Sequence, residues 1–202
     1  MNRHKSLLGL ALLVAAAIVQ AAATVGQPAP SFTAVDTAGR SVSLADFKGK
    51  FVMLEWVNPH CPFVKKHYGG GNMQGTQKDA TTKGVVWLTV NSTNAKHREY
   101  MAPTELTAWM TQSGANASAT LMDADGRVGM AYGARTTPQH FLIDPKGTLV
   151  YAGAIDSRAT ANPADIADAT NYAKLAVAEA LTGKPLTHPA TRTYGCTIKY
   201  PG

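Results

Sequence analysis

The chain reads as an α/β protein: a central mixed sheet flanked by helices, with an N-terminal hairpin extension and a C-terminal tail. Three observations predict this. Residues 51–57 and 85–90 are apolar nearly throughout, as strands covered on both faces of a sheet are. Segments of helical character follow each of them. A pair of short strands around Pro145-Lys146-Gly147 then gives a hairpin signal.

Each element has a local reason. Arg3, His4 and Lys5 form a basic head, residues 7–19 carry no charge, and Ala21-Ala22-Ala23 is a small-residue run. That is the order of a secretory signal peptide cut near Ala23, and residues 7–19 are few for a membrane span. A periplasmic or secreted location is expected, with no stable membrane anchor after cleavage. Residues 24–183 are expected to form the domain and residues 184–202 a tail carrying Cys196. Phe32 and Val35 are expected core anchors, with a hairpin turn at Gly39 and a short extended piece at residues 42–44. The strand at 51–57 ends at Pro59. Pro62 suits a first helical position, with Phe63, Val64 and His67 on one face, Lys65 and Lys66 on the other, and a stop at Gly69-Gly70-Gly71. A second helix is expected over 73–83, a third over 104–112, a short strand over 119–122 and a turn over 123–126. Strands at 140–144 and 148–152 precede a long alanine-rich helix over 164–181. Residues 186–202 have two prolines, two glycines and little periodicity, and are expected to lie over the domain or over a partner.

Composition excludes some functions. The formal net charge is +6, but the basic residues are dispersed, so nothing resembles a nucleic-acid surface. The chemistry concentrates on the two cysteines. In an oxidising compartment they can form a structural disulfide, or act as a reactive and a resolving thiol; length does not decide. As last loop residue or helix N-cap, Cys61 would face free backbone N–H groups that favour thiolate. Thr136-Thr137-Pro138 precedes a buried strand, and the proline is read as cis and bent beside Cys61.

The stretches Gly26-x-Pro28-Ala29-Pro30-x-Phe32, Leu44-x-Asp46-Phe47-x-Gly49-Lys50, Cys61-Pro62 and Thr137-Pro138 resemble the thioredoxin-like redoxins. Within them, Asn58-Pro59-x-Cys61-Pro62-Phe63 and the tail Tyr194-Gly195-Cys196 resemble a peroxiredoxin-like (AhpC/TSA-type) branch. The resemblance implies a thioredoxin-like fold over about residues 26–182. It also implies a thiol oxidoreductase that reduces peroxides, with Cys61 attacking and Cys196 resolving. Thr137 and Pro138 would form the loop beside the sulfur, and Arg135 would hold the thiolate. Aligned on Cys61, Leu54 and Asn58 stand where peroxiredoxins carry Pro and Thr, so Asn58 would orient peroxide through its amide. Two further readings stay open: a thiol–disulfide exchange protein, and a non-catalytic domain or metal carrier. Expected partners are a peroxide or disulfide substrate, an external dithiol reductant and a homodimer mate, since Cys196 could reach its own or a neighbour's Cys61. Copper carriers of this fold resemble Cys-x-x-x-Cys, and Lys65 occupies the second cysteine position, so no metal or cofactor is expected despite His60, His67 and His140.

Overall fold

The computed structural model describes residues 22–202, so the expected signal segment lies almost wholly outside them. The hairpin comprises β1 (Thr33–Asp36) and β2 (Ser41–Ser43), closed by Asp36, whose carboxylate accepts from the Ala38 and Arg40 N–H groups and from Arg40 Nε. Then come β3 (Val52–Trp56), α1 (Pro62–Gly69), α2 (Asn72–Thr82), β4 (Val86–Asn91), α3 (Pro103–Gln112) and β5 (Ala119–Met122). After α4 (Arg127–Tyr132) and the short β6 (Thr136–Thr137), β7 (Gln139–Ile143) and β8 (Leu149–Gly153) form the second hairpin; α5 (Tyr172–Leu181) and β9 (Cys196–Thr197) complete the chain.

Seven strands form one mixed sheet in the order β2-β1-β5-β4-β3-β7-β8. β3 pairs parallel with β4 and antiparallel with β7, and β4 pairs parallel with β5. β3, β4 and β7 are buried at every residue, which is why their sequences show no alternation. One face packs against α1, α2 and α5 through Met53, Val64, Tyr68, Met73, Trp87 and Val177. On the other, Leu54, Trp56, Leu88 and Phe141 meet Val128, Tyr132 and the tail's Ile198. Trp56 lies 5.2 Å from Phe141 and 5.8 Å from Tyr132, each a tilted or edge contact. Such pairs contribute about 0.5–1.5 kcal/mol beyond their buried area.

Three expectations are corrected. Val35 is 51 % exposed, because in β1 it alternates away from buried Asp36. The helix expected over 164–181 is a 3-10 turn at Pro163–Ile166 and then α5. The chain breaks because Asn171 caps Lys174 N–H and also donates to Thr76 Oγ1 on α2, which a helical Asn171 could not do. The turn at residues 123–126 leads into α4, a helix the sequence reading omits; buried Asp123 accepts from the Val128 and Gly129 N–H groups and so satisfies its first turn.

Glu55 is wholly buried at the middle of β3. Its carboxyl accepts from Tyr68 Oη (2.9 Å), Gln77 Nε2 (2.8 Å) and Trp87 Nε1 (2.7 Å). Burial outweighs these donors and lifts its pKa to about 7. His140 stands directly across on β7, and burial holds it neutral, its pKa depressed to about 3. The two groups act oppositely on stability. Glu55 stabilises most below the ordinary glutamate range, and that contribution is lost as pH rises through about 7. His140 stabilises above the ordinary histidine range, and its contribution is lost progressively as pH falls toward about 3. Glu55→Gln is therefore expected to raise the unfolding free energy near neutral-to-alkaline pH by about 2–3 kcal/mol. The difference from wild type should shrink to nothing below about pH 4.5; urea titrations across pH check this, and a pH-independent difference would contradict it.

Candidate active site

β3 delivers the chain to the carboxyl edge of the sheet, where Val57 N–H still bonds Val90 (2.9 Å). Asn58 then makes the turn: its Oδ1 accepts the His60 N–H (2.9 Å) and its carbonyl the Cys61 N–H (3.0 Å). With Pro62 at the first helical position, Cys61 becomes the N-cap of α1, extended at φ −71° and ψ 123°. It is 2 % exposed and disulfide-bonded to Cys196 of the same chain, 135 positions on, with Cα atoms 5.9 Å apart.

The loop after α4 holds the other side. Gln139 Oε1 accepts the Arg135 and Thr136 N–H groups, and the Thr137–Pro138 peptide is cis, as expected. The exposed edge of β6 is covered by β9, antiparallel, with Thr136 opposite Thr197 and Thr137 opposite Cys196. The Thr137 carbonyl oxygen lies 3.1 Å from Cys61 Sγ; a disulfide sulfur has no hydrogen to donate, so this becomes a hydrogen bond only in the thiol state. Around this pairing the tail is pinned by Ile198 N–H to the Arg135 carbonyl (3.0 Å), Asn94 N–H to the Lys199 carbonyl (2.8 Å) and Tyr200 Oη to the Ala134 carbonyl (2.8 Å). Gly195 has φ +130°, and a side chain there would run into the Thr137 carbonyl, so only glycine lets the tail come this close.

Beside the disulfide lies a charged pocket inside the protein. Lys66 Nζ sits 3.4 Å from Asp156 Oδ2 and donates to the Arg158 carbonyl (2.9 Å). The tail closes this pocket with Tyr194, whose phenol donates to Asp156 Oδ1 and lies 3.2 Å from His67 Nε2. Asn72 Nδ2 lies 2.8 Å from His67 Nδ1, so the imidazole accepts there when it is neutral. Burial depresses His67 to about 4, offset in part by the Asp156 charge. Burial, the Asp156 bond and the Asp156 charge all keep the Tyr194 phenol protonated.

Of the residues named from the sequence, Cys61, Cys196, Thr137 and Pro138 are brought together. Asn58 stands at the turn, and its Nδ2 donates to Glu99 Oε2 (2.8 Å), which holds the Glu99 carboxyl below its usual range. Arg135 is exposed, and its contacts at this site are through its backbone. Lys66, expected on the solvent face with Lys65, is 1 % exposed; lysine goes inside when it finds a carboxylate and a carbonyl. Asp156 was not singled out, and no local pattern marks it. His67, expected on one helical face with Phe63 and Val64, is buried and also reaches the tail.

The AhpC/TSA family profile matches residues 25–152. The thiol-disulfide oxidoreductase ResA of Bacillus subtilis is 32 % identical over 125 residues, which is 62 % of this chain and 64 % of that protein's length, so the chain spans less than two thirds of it. The crystal structure of an uncharacterised conserved protein from Geobacillus kaustophilus is similar over 88 % of this chain and 93 % of its own, at TM-score 0.78 and 26 % identity. The thioredoxin domain of a thiol-disulfide oxidoreductase from Bacteroides vulgatus shares the fold over 72 % of this chain and 96 % of its own, at TM-score 0.51 and 23 % identity. The fold is thus thioredoxin-like. The family match includes Cys61 and Pro138 and stops short of Asp156, Tyr194 and Cys196.

Because Asp156 would be left as a buried carboxylate without its cation, Lys66→Ala is expected to cost about 3–5 kcal/mol of unfolding free energy in the oxidised protein. Lys65→Ala, on the exposed side of the same turn, should change it by less than about 0.5 kcal/mol. Chemical denaturation of both variants measures the contrast.

Proposed function

We propose, for a chain that belongs to the AhpC/TSA family, that it acts as a thiol–disulfide oxidoreductase with Cys61 as the attacking thiol and Cys196 as its resolving partner. The observation that carries this is the bond between a helix N-cap cysteine and a cysteine on a two-residue strand at the end of the chain. The similarity to an oxidoreductase named for thiol–disulfide chemistry supports it.

The chemistry follows from the placement. Once the pair is reduced, the first-turn N–H groups of α1 and its dipole favour the Cys61 thiolate. That thiolate attacks one sulfur of a substrate disulfide; the S–S bond breaks, and the other sulfur leaves as a thiolate. Cys196 then attacks Cys61 in the mixed disulfide, restores the Cys61–Cys196 bond and releases the second substrate thiol. One substrate disulfide becomes two thiols, and two protein thiols become the disulfide seen here. An external dithiol returns the chain to its starting state by the same exchange. Since Cys61 is buried beneath the tail, residues 194–200 must lift from the β6 edge before an outside sulfur reaches it. That segment is pinned by a few hydrogen bonds rather than by the sheet, the kind of region that opens at low cost. The Thr137 carbonyl, at the cis Thr137–Pro138 bond, lies 3.1 Å from the sulfur.

Peroxide reduction, expected from the resemblance, is the less supported reading. Asn58 stands at the peroxide-orienting threonine position, and both ends of its amide are engaged, by Glu99 and by the His60 N–H.

Reduced Cys196→Ser is expected to accumulate a mixed disulfide on Cys61 when mixed with glutathione disulfide, read by intact mass. Cys61→Ser should form none on Cys196 at a comparable rate. A wild-type disulfide that withstands excess dithiol, or a variant that forms no adduct, would overturn the exchange reading. Loss of the Cys61 thiol to hydrogen peroxide far faster than that of free cysteine would favour the peroxidase instead.

A further inference from the structure

The tail makes more contact with the site than a resolving cysteine requires. Thiol exchange needs Cys196 alone, yet the segment brings Tyr194 into the Lys66–His67–Asp156 pocket and Gly195 against the Thr137 carbonyl. The pocket is built in advance from elements outside the tail. Lys66 and His67 come from α1 and Asp156 from the segment after β8, and their side chains are at most 1 % exposed. His67 is oriented by Asn72, and Lys66 by the Arg158 carbonyl, neither belonging to the tail. The phenol ring also meets the Phe63 ring edge-on at 5.7 Å and lies 5.8 Å from Lys66 Nζ. Without Tyr194, Asp156 Oδ1 keeps only the Arg158 N–H, and His67 Nε2 loses its hydrogen-bond partner, with Asp156 Oδ2 3.8 Å away. A buried carboxylate oxygen and an imidazole nitrogen would then face an open slot beside Cys61.

We propose that this slot is a specificity pocket for a tyrosine two residues before the reacting cysteine of a polypeptide substrate, and that the tail occupies it as a stand-in for that substrate. The inference rests on the exchange reading above and adds the class of substrate: an extended segment of the form Tyr-Gly-Cys or close to it. The substrate cysteine would take the place of Cys196 opposite Thr137, its backbone pairing with the β6 edge. A small residue between is required by the Thr137 carbonyl. The phenol O–H would donate to Asp156 and its ring would lie against Phe63 and Lys66.

The step balances without an added oxidant. With the peptide cysteine held as a disulfide to glutathione, the Cys61 thiolate attacks the peptide sulfur, the peptide–glutathione bond breaks, and glutathione leaves as its thiolate. The test uses the full chain with Cys196→Ser and Tyr194→Ala, which leaves Cys61 as the sole thiol and the pocket empty. Glutathione-capped Tyr-Gly-Cys, Phe-Gly-Cys and Ala-Gly-Cys peptides are compared by stopped-flow rate. The tyrosine peptide is expected to react at least about tenfold faster than the alanine peptide, with phenylalanine between them, since a hydrogen bond to a buried charge is the part phenylalanine lacks. Adding Asp156→Asn should bring the tyrosine-to-phenylalanine ratio close to one. Equal rates for the three peptides would overturn the pocket while leaving exchange intact, provided free glutathione disulfide reacts. Failure with glutathione disulfide as well would overturn the exchange reading and this inference with it. If Asp156→Asn does not fold, the three-peptide series decides alone.

Discussion

Everything at the site depends on β3 being flanked on both sides, parallel by β4 and antiparallel by β7. A strand held at the centre of a sheet cannot shift register without moving every side chain to the wrong face. That fixes where the chain leaves the sheet, and so where Asn58 turns and α1 begins. Cys61 sits at the carboxyl end of this strand and at the amino end of a helix, at an edge of the sheet where β6 supplies a second backbone. The position of Cys61 is thus a consequence of the core.

The same face of β3 carries a cost. Glu55, His140, His67, Lys66 and Asp156 form a polar layer inside the apolar one, reaching from the middle of the sheet to the tail. Glu55 is satisfied by three donors, whereas both ring nitrogens of His140 lack a partner among the described residues. A core built for stability alone would replace such groups with hydrocarbon. Burial sets the protonation of the glutamate and the two histidines: Glu55 titrates near neutrality, and His67 and His140 stay uncharged through the physiological range. The layer ends at Asp156, one of whose oxygens is left for the phenol of Tyr194.

The tail differs from the rest in how it is held. It contributes Ile198 to the core, one short strand pair, a few hydrogen bonds and one covalent bond. Breaking the covalent bond removes a cross-link spanning 135 positions, worth about 5 kcal/mol in the loop-entropy description. In that description the loss falls on the stability of the whole fold, and it also leaves the tail held by non-covalent contacts alone.

Much of the architecture was legible in the chain itself. Continuous apolar runs marked β3 and β4, because strands covered on both faces need no polar alternation. Pro62 after Cys61 marked the start of α1, and Thr137-Pro138 marked the bent loop, because proline restricts the backbone locally. Motif resemblance added the pairing of roles between Cys61 and Cys196. What the sequence could not carry was set by partners far apart in the chain. Lys66 reads as solvent-facing beside Lys65 until Asp156, 90 positions on, draws it inside. Val35 reads as core until β1 is seen at a register that turns it outward. The alanine-rich stretch reads as one helix until Asn171 spends its side chain on α2. That Cys196 meets its own Cys61, with Tyr194 and Gly195 travelling with it, is seen only in the tertiary structure, where β9 pairs with the β6 edge. Local chemistry determined where the elements begin and end; the burial of charge and the seating of the tail belong to the tertiary structure, because both are settled by contacts that sequence proximity does not reveal.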